Sequence, residues 1–114
     1  MKRFVARCTP WGTIQTGAYF RHLTPDEKSA VLLHERAHIA HRDVLRRVWW
    51  IVSLKILRDP QWVYERCRDQ EFAADRYVKM AGYANGMCSF LRRHPQPASL
   101  LHPSSKQRLE ALNV

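Results

Sequence analysis

The chain has 114 residues and a mass of 13.5 kDa, a length that supports one domain over residues 1–114 around one hydrophobic core. Hydrophobic residues make up 46% and charged residues 25%, with only 4 Gly and 6 Pro, which excludes a disordered, collagen-like or low-complexity chain. Nineteen Lys and Arg against ten Asp and Glu give +9, a charge that suits acidic partners such as an anionic membrane surface, an acidic protein or nucleic acid.

In chain order, residues 2–20 carry β-branched and aromatic residues broken by Pro10, Gly12 and Gly17. Short strands are expected at 4–7 and 13–16. Thr24-Pro25-Asp26-Glu27 is a helix start: a capping threonine, proline at the first helical position, and a glutamate placed to close a capping box. Ala30, Leu33, Ala37 and Ala40 continue at helical spacing, so a helix is predicted over 25–41. A second is predicted over 43–57 and a third over 60–80, started by Asp59-Pro60 and stopped by Gly82. A fourth covers 84–93, before the His94-Pro95-Gln96-Pro97 break, and a fifth runs from Ser104 to the end. The expected fold class is α+β, mostly α, with about five helices and a short N-terminal strand or hairpin.

Three cysteines, Cys8, Cys67 and Cys88, with no C-x-x-C pair argue against a disulfide framework and for a reducing compartment. The basic N-terminus has no apolar run behind it, so a secretory signal is not expected. The most apolar stretch, 48–57, is interrupted by Lys55, and a membrane span needs about 20 apolar residues. A cytoplasmic location is therefore expected, with peripheral membrane association as the alternative. Trp49, Trp50 and Trp62, with Val48, Ile51 and Leu54, are expected to pack in the core. Their other reading is a membrane-surface patch with Arg46, Arg47 and Lys55 on its polar side. The basic residues are scattered, and no nucleic-acid motif is recognisable.

The sharpest feature is His34-Glu35-Arg36-Ala37-His38, an H-E-x-x-H motif inside the first predicted helix. Residues at i and i+4 share a helix face, with Cβ atoms about 5–6 Å apart, so two imidazoles can reach one Zn²⁺. Glu35 is rotated about 100° from His34, towards a water rather than the ion. A catalytic zinc takes a third protein ligand and keeps one position open. The glycine and third histidine that one class of zinc proteases places downstream correspond here to Ala40 and Val44, which excludes that arrangement. His41 is one candidate for the third ligand. Glu71 is the better one, because Glu71 and Asp75 form an i, i+4 carboxylate pair in an apolar stretch, one for the metal and one to orient a ligand histidine.

The run from Leu23 through the H-E-x-x-H motif to Asp43 resembles the gluzincin zinc metallopeptidases of the HtpX and CAAX prenyl endopeptidase type. Their second motif, E-x-x-x-D, is similar to Glu71–Asp75, and their C-terminal His-Pro … Arg motif to His102-Pro103 and Arg108. Residues 60–75 also resemble the β-lactam sensor and antirepressor metallopeptidases. The likeness covers about residues 12–112, with Ala37 where the family usually has glycine. It implies a minimal zincin-like domain holding one Zn²⁺ on His34, His38 and Glu71. It further implies Glu35 as general base, Asp75 orienting a ligand histidine, and His102 and Arg108 flanking the cleft.

The expected activity is a zinc endopeptidase acting on peptide or protein substrates. His102 is the first choice to stabilise an oxyanion and Arg108 the second, although an ion pair to a nearby carboxylate suits Arg108 better. Thr13, Ile14, Gln15 and Thr16 are expected to form a strand edge along which an extended peptide binds. Cys67, four residues before Glu71, is either a latent zinc ligand or a small buried hydrophobe. The C-terminal helix, with Leu109 and Leu112 on one face, is expected either to narrow the cleft as a lid or to complete the core. Alternative functions are a basic module that binds nucleic acid or a membrane surface around a structural zinc, or a latent regulatory peptidase.

Overall fold

The computed structural model describes residues 5–112. Among them, strands β1 (Ala6–Cys8) and β2 (Ile14–Thr16) form an antiparallel hairpin with Ala6 opposite Thr16 and Cys8 opposite Ile14. A 3-10 turn at Ala18–His22 leads into α1 (Pro25–Ala40), followed by α2 (Asp43–Val52), α3 (Lys55–Arg58), α4 (Pro60–Met80), α5 (Ala84–Arg93) and α6 (Ser105–Leu112). The architecture is α+β and mostly helical. Phe4, included in the first predicted strand, lies outside the described residues.

Local chemistry accounts for most boundaries. Thr24 accepts a hydrogen bond from the Glu27 amide, and Glu27 accepts one from the Thr24 amide, closing the capping box at the start of α1. Asp59 caps α4 through the Trp62 amide. At the other end of α4, Gly82 takes the left-handed conformation (φ 90°), and the amides of Gly82 and Tyr83 bond back to Lys79 and Val78 in a Schellman motif.

The predicted second helix, 43–57, is two helices. After Ser53 the chain turns at Leu54, which adopts a left-handed conformation (φ 63°), and α3 then packs on α4 with Lys55 Nζ 4.9 Å from the Trp62 ring centroid. The turn lets a short second helix fold back where one straight rod would leave the molecule. This raises the helix count from about five to six among the described residues.

Ala30, Val78, Met87, Cys88, Leu91 and Leu112 form the core, with Leu33, Phe90 and Leu109 packed against it. Leu109 and Leu112 therefore complete the core between α4 and α5, which answers the question of how α6 docks. The helix α1 packs mainly on α4 and α5. Where α1 meets α4, Ala37 and Ala74 are fully buried. Such small side chains suit the close approach that brings the polar residues of the two helices into contact.

Candidate metal centre

Two helices supply the ligand cluster, and carboxylates from α2 and α4 hold its histidines in place. His34 and His38 project from one face of α1, and their Nε2 atoms stand 3.1 Å apart. Glu71 of α4 brings Oε2 to 2.8 Å from His34 Nε2 and 3.4 Å from His38 Nε2. All three side chains are buried, and their ligand atoms lie within 4.8 Å of one another.

Each imidazole is fixed from behind. His34 Nδ1 donates to Asp75 Oδ1 at 2.9 Å, and His38 Nδ1 donates to Asp43 Oδ2 at 2.7 Å. With Nδ1 protonated, each Nε2 of a neutral ring carries a lone pair. Two lone pairs and a carboxylate oxygen then converge on one point without a donor between them, an arrangement that repels itself unless a cation or extra protons sit there. Tetrahedral zinc with ligand bonds of about 2.0–2.1 Å sets its ligands about 3.3 Å apart, close to the spacing here. The donor set therefore fits a zinc ion on His34, His38 and Glu71.

Without an ion, protons take its place. Burial disfavours a charged His38, but hydrogen bonds to Asp43 and Glu71 outweigh this and lift its pKa to about 9. The same balance, with Asp75 and Glu71 as partners, raises that of His34. Burial opposes ionisation of Glu71, yet contacts with His102, His34 and His38 hold its carboxyl well below the usual range.

The outer contacts come from three further places. Arg47 of α2 donates Nε to Gln70 Oε1 at 2.6 Å, and its Nη2 lies 3.4 Å from Glu71 Oε1. That oxygen points away from the ion site, leaving Oε2 as the ligand atom. Arg108 of α6 grips Asp75 with two bonds of 2.7 Å, Nε to Oδ2 and Nη2 to Oδ1. Burial opposes the charges, but Arg108 and His34 together keep Asp75 ionised. Arg108 is thus the structural ion pair of the sequence reading, its guanidinium taken up by Asp75. His102 reaches Glu71 Oε1 at 3.5 Å from Nδ1, with 56% of its side chain exposed, so it borders the site on the solvent side.

Glu35 stands beside the cluster, half-buried. Burial raises its pKa, and the two imidazoles partly offset that. Its hydrogen-bond partner is the Cys8 thiol of β1, which burial and the Glu35 charge push up to about 12. The hairpin thus reaches Glu35 through Cys8. Thr13, Gln15 and Thr16 of the proposed strand edge are exposed and Ile14 half-buried, with Thr13 bonded to Thr9. Beside His38, a cleft of about 310 Å³ lies between the hairpin turn and α2, lined by Trp11, Ile39, Val44 and Leu45.

His41 does not join the cluster. It is exposed at the C-cap of α1 and lines a separate cleft with Trp50 and Trp62. Cys67 is buried and inert, its pKa raised by burial, so it is the small hydrophobe of the two readings.

Sequence reasoning missed Asp43, Arg47 and Cys8 as site residues. Asp43 carried one usable signal: a carboxylate five residues past His38, just beyond the helix end, can fold back onto it. Arg47 and Cys8 carried none, because only tertiary packing brings them to Glu71 and Glu35. Comparison of the chain with family models, curated proteins and solved structures finds no match.

Proposed function

We propose that the protein is a zinc-dependent endopeptidase with a zincin-like catalytic domain, in which His34, His38 and Glu71 hold the ion. The observation that carries this reading is the half-buried Glu35, outside the ligand set, next to a buried, three-ligand His-His-Glu cluster. A structural zinc is closed by four protein ligands and has no use for a general base. Among the described residues the cluster offers three. The ordered likeness of His34–His38, Glu71–Asp75 and His102–Arg108 to the gluzincin motifs supports the same reading.

When bound, zinc supplies Lewis acidity that brings the pKa of water toward about 7 and polarises a carbonyl. The protein's own groups do the rest. Glu35 accepts the proton of the attacking water and returns it to the leaving amine, and its burial-raised pKa suits both tasks. Asp75 and Asp43 hold both imidazoles with Nε2 unprotonated toward the ion. His102, which borders the site on the solvent side, is the donor this reading assigns to an oxyanion. The cleft beside His38, with Trp11, Val44 and Leu45, suits an apolar side chain of a peptide.

The test is metal content and cleavage of an unfolded protein such as casein, for the parent and for Glu35→Gln. The parent is expected to bind one zinc and cleave. The variant is expected to keep zinc and fold and to lose activity by about 10²-fold or more. Undiminished proteolysis in Glu35→Gln, or a parent that binds no zinc, overturns the proposal.

A further inference from the structure

The helix α2 is amphipathic in the inverse sense to a helix that covers a core. Leu45, Val48, Trp49 and Val52 follow i, i+3, i+4, i+7 spacing and form one stripe. That stripe faces solvent: Trp49 is 65% and Val52 67% exposed. Ile51 of α2, Leu54 at the turn and Leu57 of α3 are also exposed. The inward side of α2 is polar, with Asp43 bonded to His38 and Arg47 to Gln70. The metal centre requires those polar groups inside, which turns the apolar stripe outward. The expected core packing of Val48, Trp49, Ile51 and Leu54 is corrected accordingly; Trp50 alone of this helix's tryptophans turns back, edge-on to Trp62.

The four-residue stripe of α2, with further exposed apolar side chains at the turn and on α3, is a surface of the kind that marks an interaction site. Its charge names the partner. Segment 42–58 carries Arg42, Arg46, Arg47, Lys55 and Arg58 against a single carboxylate, Asp43, which is buried against His38. Arg42, Arg46 and Arg58 are exposed beside the stripe. A second copy of this chain would bring two +9 molecules together through like-charged rims. An anionic lipid surface meets both features at once, apolar stripe to acyl chains and arginines to headgroups. Trp49 at the centre is the residue type that prefers that boundary. No helix among the described residues is long and apolar enough to cross a membrane, so the contact is one of lying on the surface.

We infer that α2 and α3 dock the protein on the surface of an anionic lipid bilayer, with Leu45, Val48, Trp49 and Val52 inserted and Arg42, Arg46 and Arg58 on the headgroups. Docking of this kind needs no metal ion, and Leu45 ties the docking face to the cleft beside His38, which it also lines.

Flotation with vesicles of phosphatidylcholine alone, and with about a third phosphatidylserine, tests it. The protein is expected to float with the phosphatidylserine vesicles at least about tenfold more than with phosphatidylcholine alone, and less as salt rises. Trp49→Gln/Val52→Gln is expected to lower binding about tenfold or more while zinc content and circular dichroism stay unchanged. Arg46→Gln/Arg58→Gln is expected to remove only the preference for the anionic vesicles. Failure of the parent to float with anionic vesicles overturns the inference, as does undiminished flotation of a folded Trp49→Gln/Val52→Gln protein. So does a concentration-dependent dimer in sedimentation that this variant abolishes, since a second copy would then cover the face.

Discussion

At the scale of single residues, the centre works by pinning. A histidine ligand is useful only if its ring stands in one orientation with the correct nitrogen bare, and a carboxylate on Nδ1 enforces both. Asp75 does this for His34 and Asp43 for His38. Asp43→Asn keeps the shape but removes the charge that holds the tautomer. Zinc affinity, measured by competition with a chromophoric chelator, is expected to fall about 10–100-fold. Asp59→Asn, at an exposed cap, should leave it unchanged. Cys8 gives a second residue-level expectation. Its hydrogen bond favours the ionised form of Glu35 and so lowers that residue's pKa. Cys8→Ala removes the bond, Glu35 binds its proton more tightly, and the acidic limb of the kcat/KM pH profile should move to higher pH. A limb that stays in place or moves to lower pH would show that the thiol does not tune Glu35.

Among the elements, the close contacts of α1 decide what the fold tolerates. At Gly86 of α5 a Cβ would land on the Asp26 backbone carbonyl at the start of α1, an obstacle that no rotamer change can clear. Gly86→Ala is therefore expected to destabilise by about 1–3 kcal/mol, despite the better helix propensity of alanine, as read from urea midpoints. A stabilised variant would mean that the two helices can move apart freely. The same start of α1 is tied down by Glu27, fully buried, which accepts from the Thr24 amide and Ser89 Oγ and pairs with Arg93. Those partners outweigh the cost of burying the charge and lower the Glu27 pKa. Here the capping box visible in the sequence doubles as an interhelical link that the sequence does not reveal.

For the molecule as a whole, the centre is a cross-link. His34 and His38 come from α1, Asp43 and Arg47 from α2, Glu71 and Asp75 from α4, and Arg108 from α6. An ion that binds only when these meet stabilises the folded state by mass action, about 2.7 kcal/mol at a free concentration one hundred times its Kd. Zinc addition is expected to raise the melting temperature by roughly 10 °C under that condition, and a chelator to reverse it. The gain should shrink as the pH falls below about 9, because His38 must give up its proton to become a ligand. A melting temperature indifferent to zinc would exclude a site shared between helices.

The sequence by itself determined the features whose causes are local. Thr24-Pro25 and Asp59-Pro60 started α1 and α4, Gly82 stopped α4, and the i, i+4 spacings put His34 with His38 and Glu71 with Asp75 on shared faces. These signals act within one or two helical turns, so they can be read without knowing what the helix packs against. Only the tertiary structure decided that α2 ends at Val52, that its apolar stripe faces outward, that Asp43 serves His38, and that Cys8 reaches Glu35. The physical reason is competition. An apolar stripe predicts burial only when nothing else claims the inward side, and here the buried cluster needs Asp43 and Arg47 for charge balance. The cost of leaving buried charges unpaired exceeds the gain from covering a few apolar side chains, so α2 turns its polar face to the buried cluster.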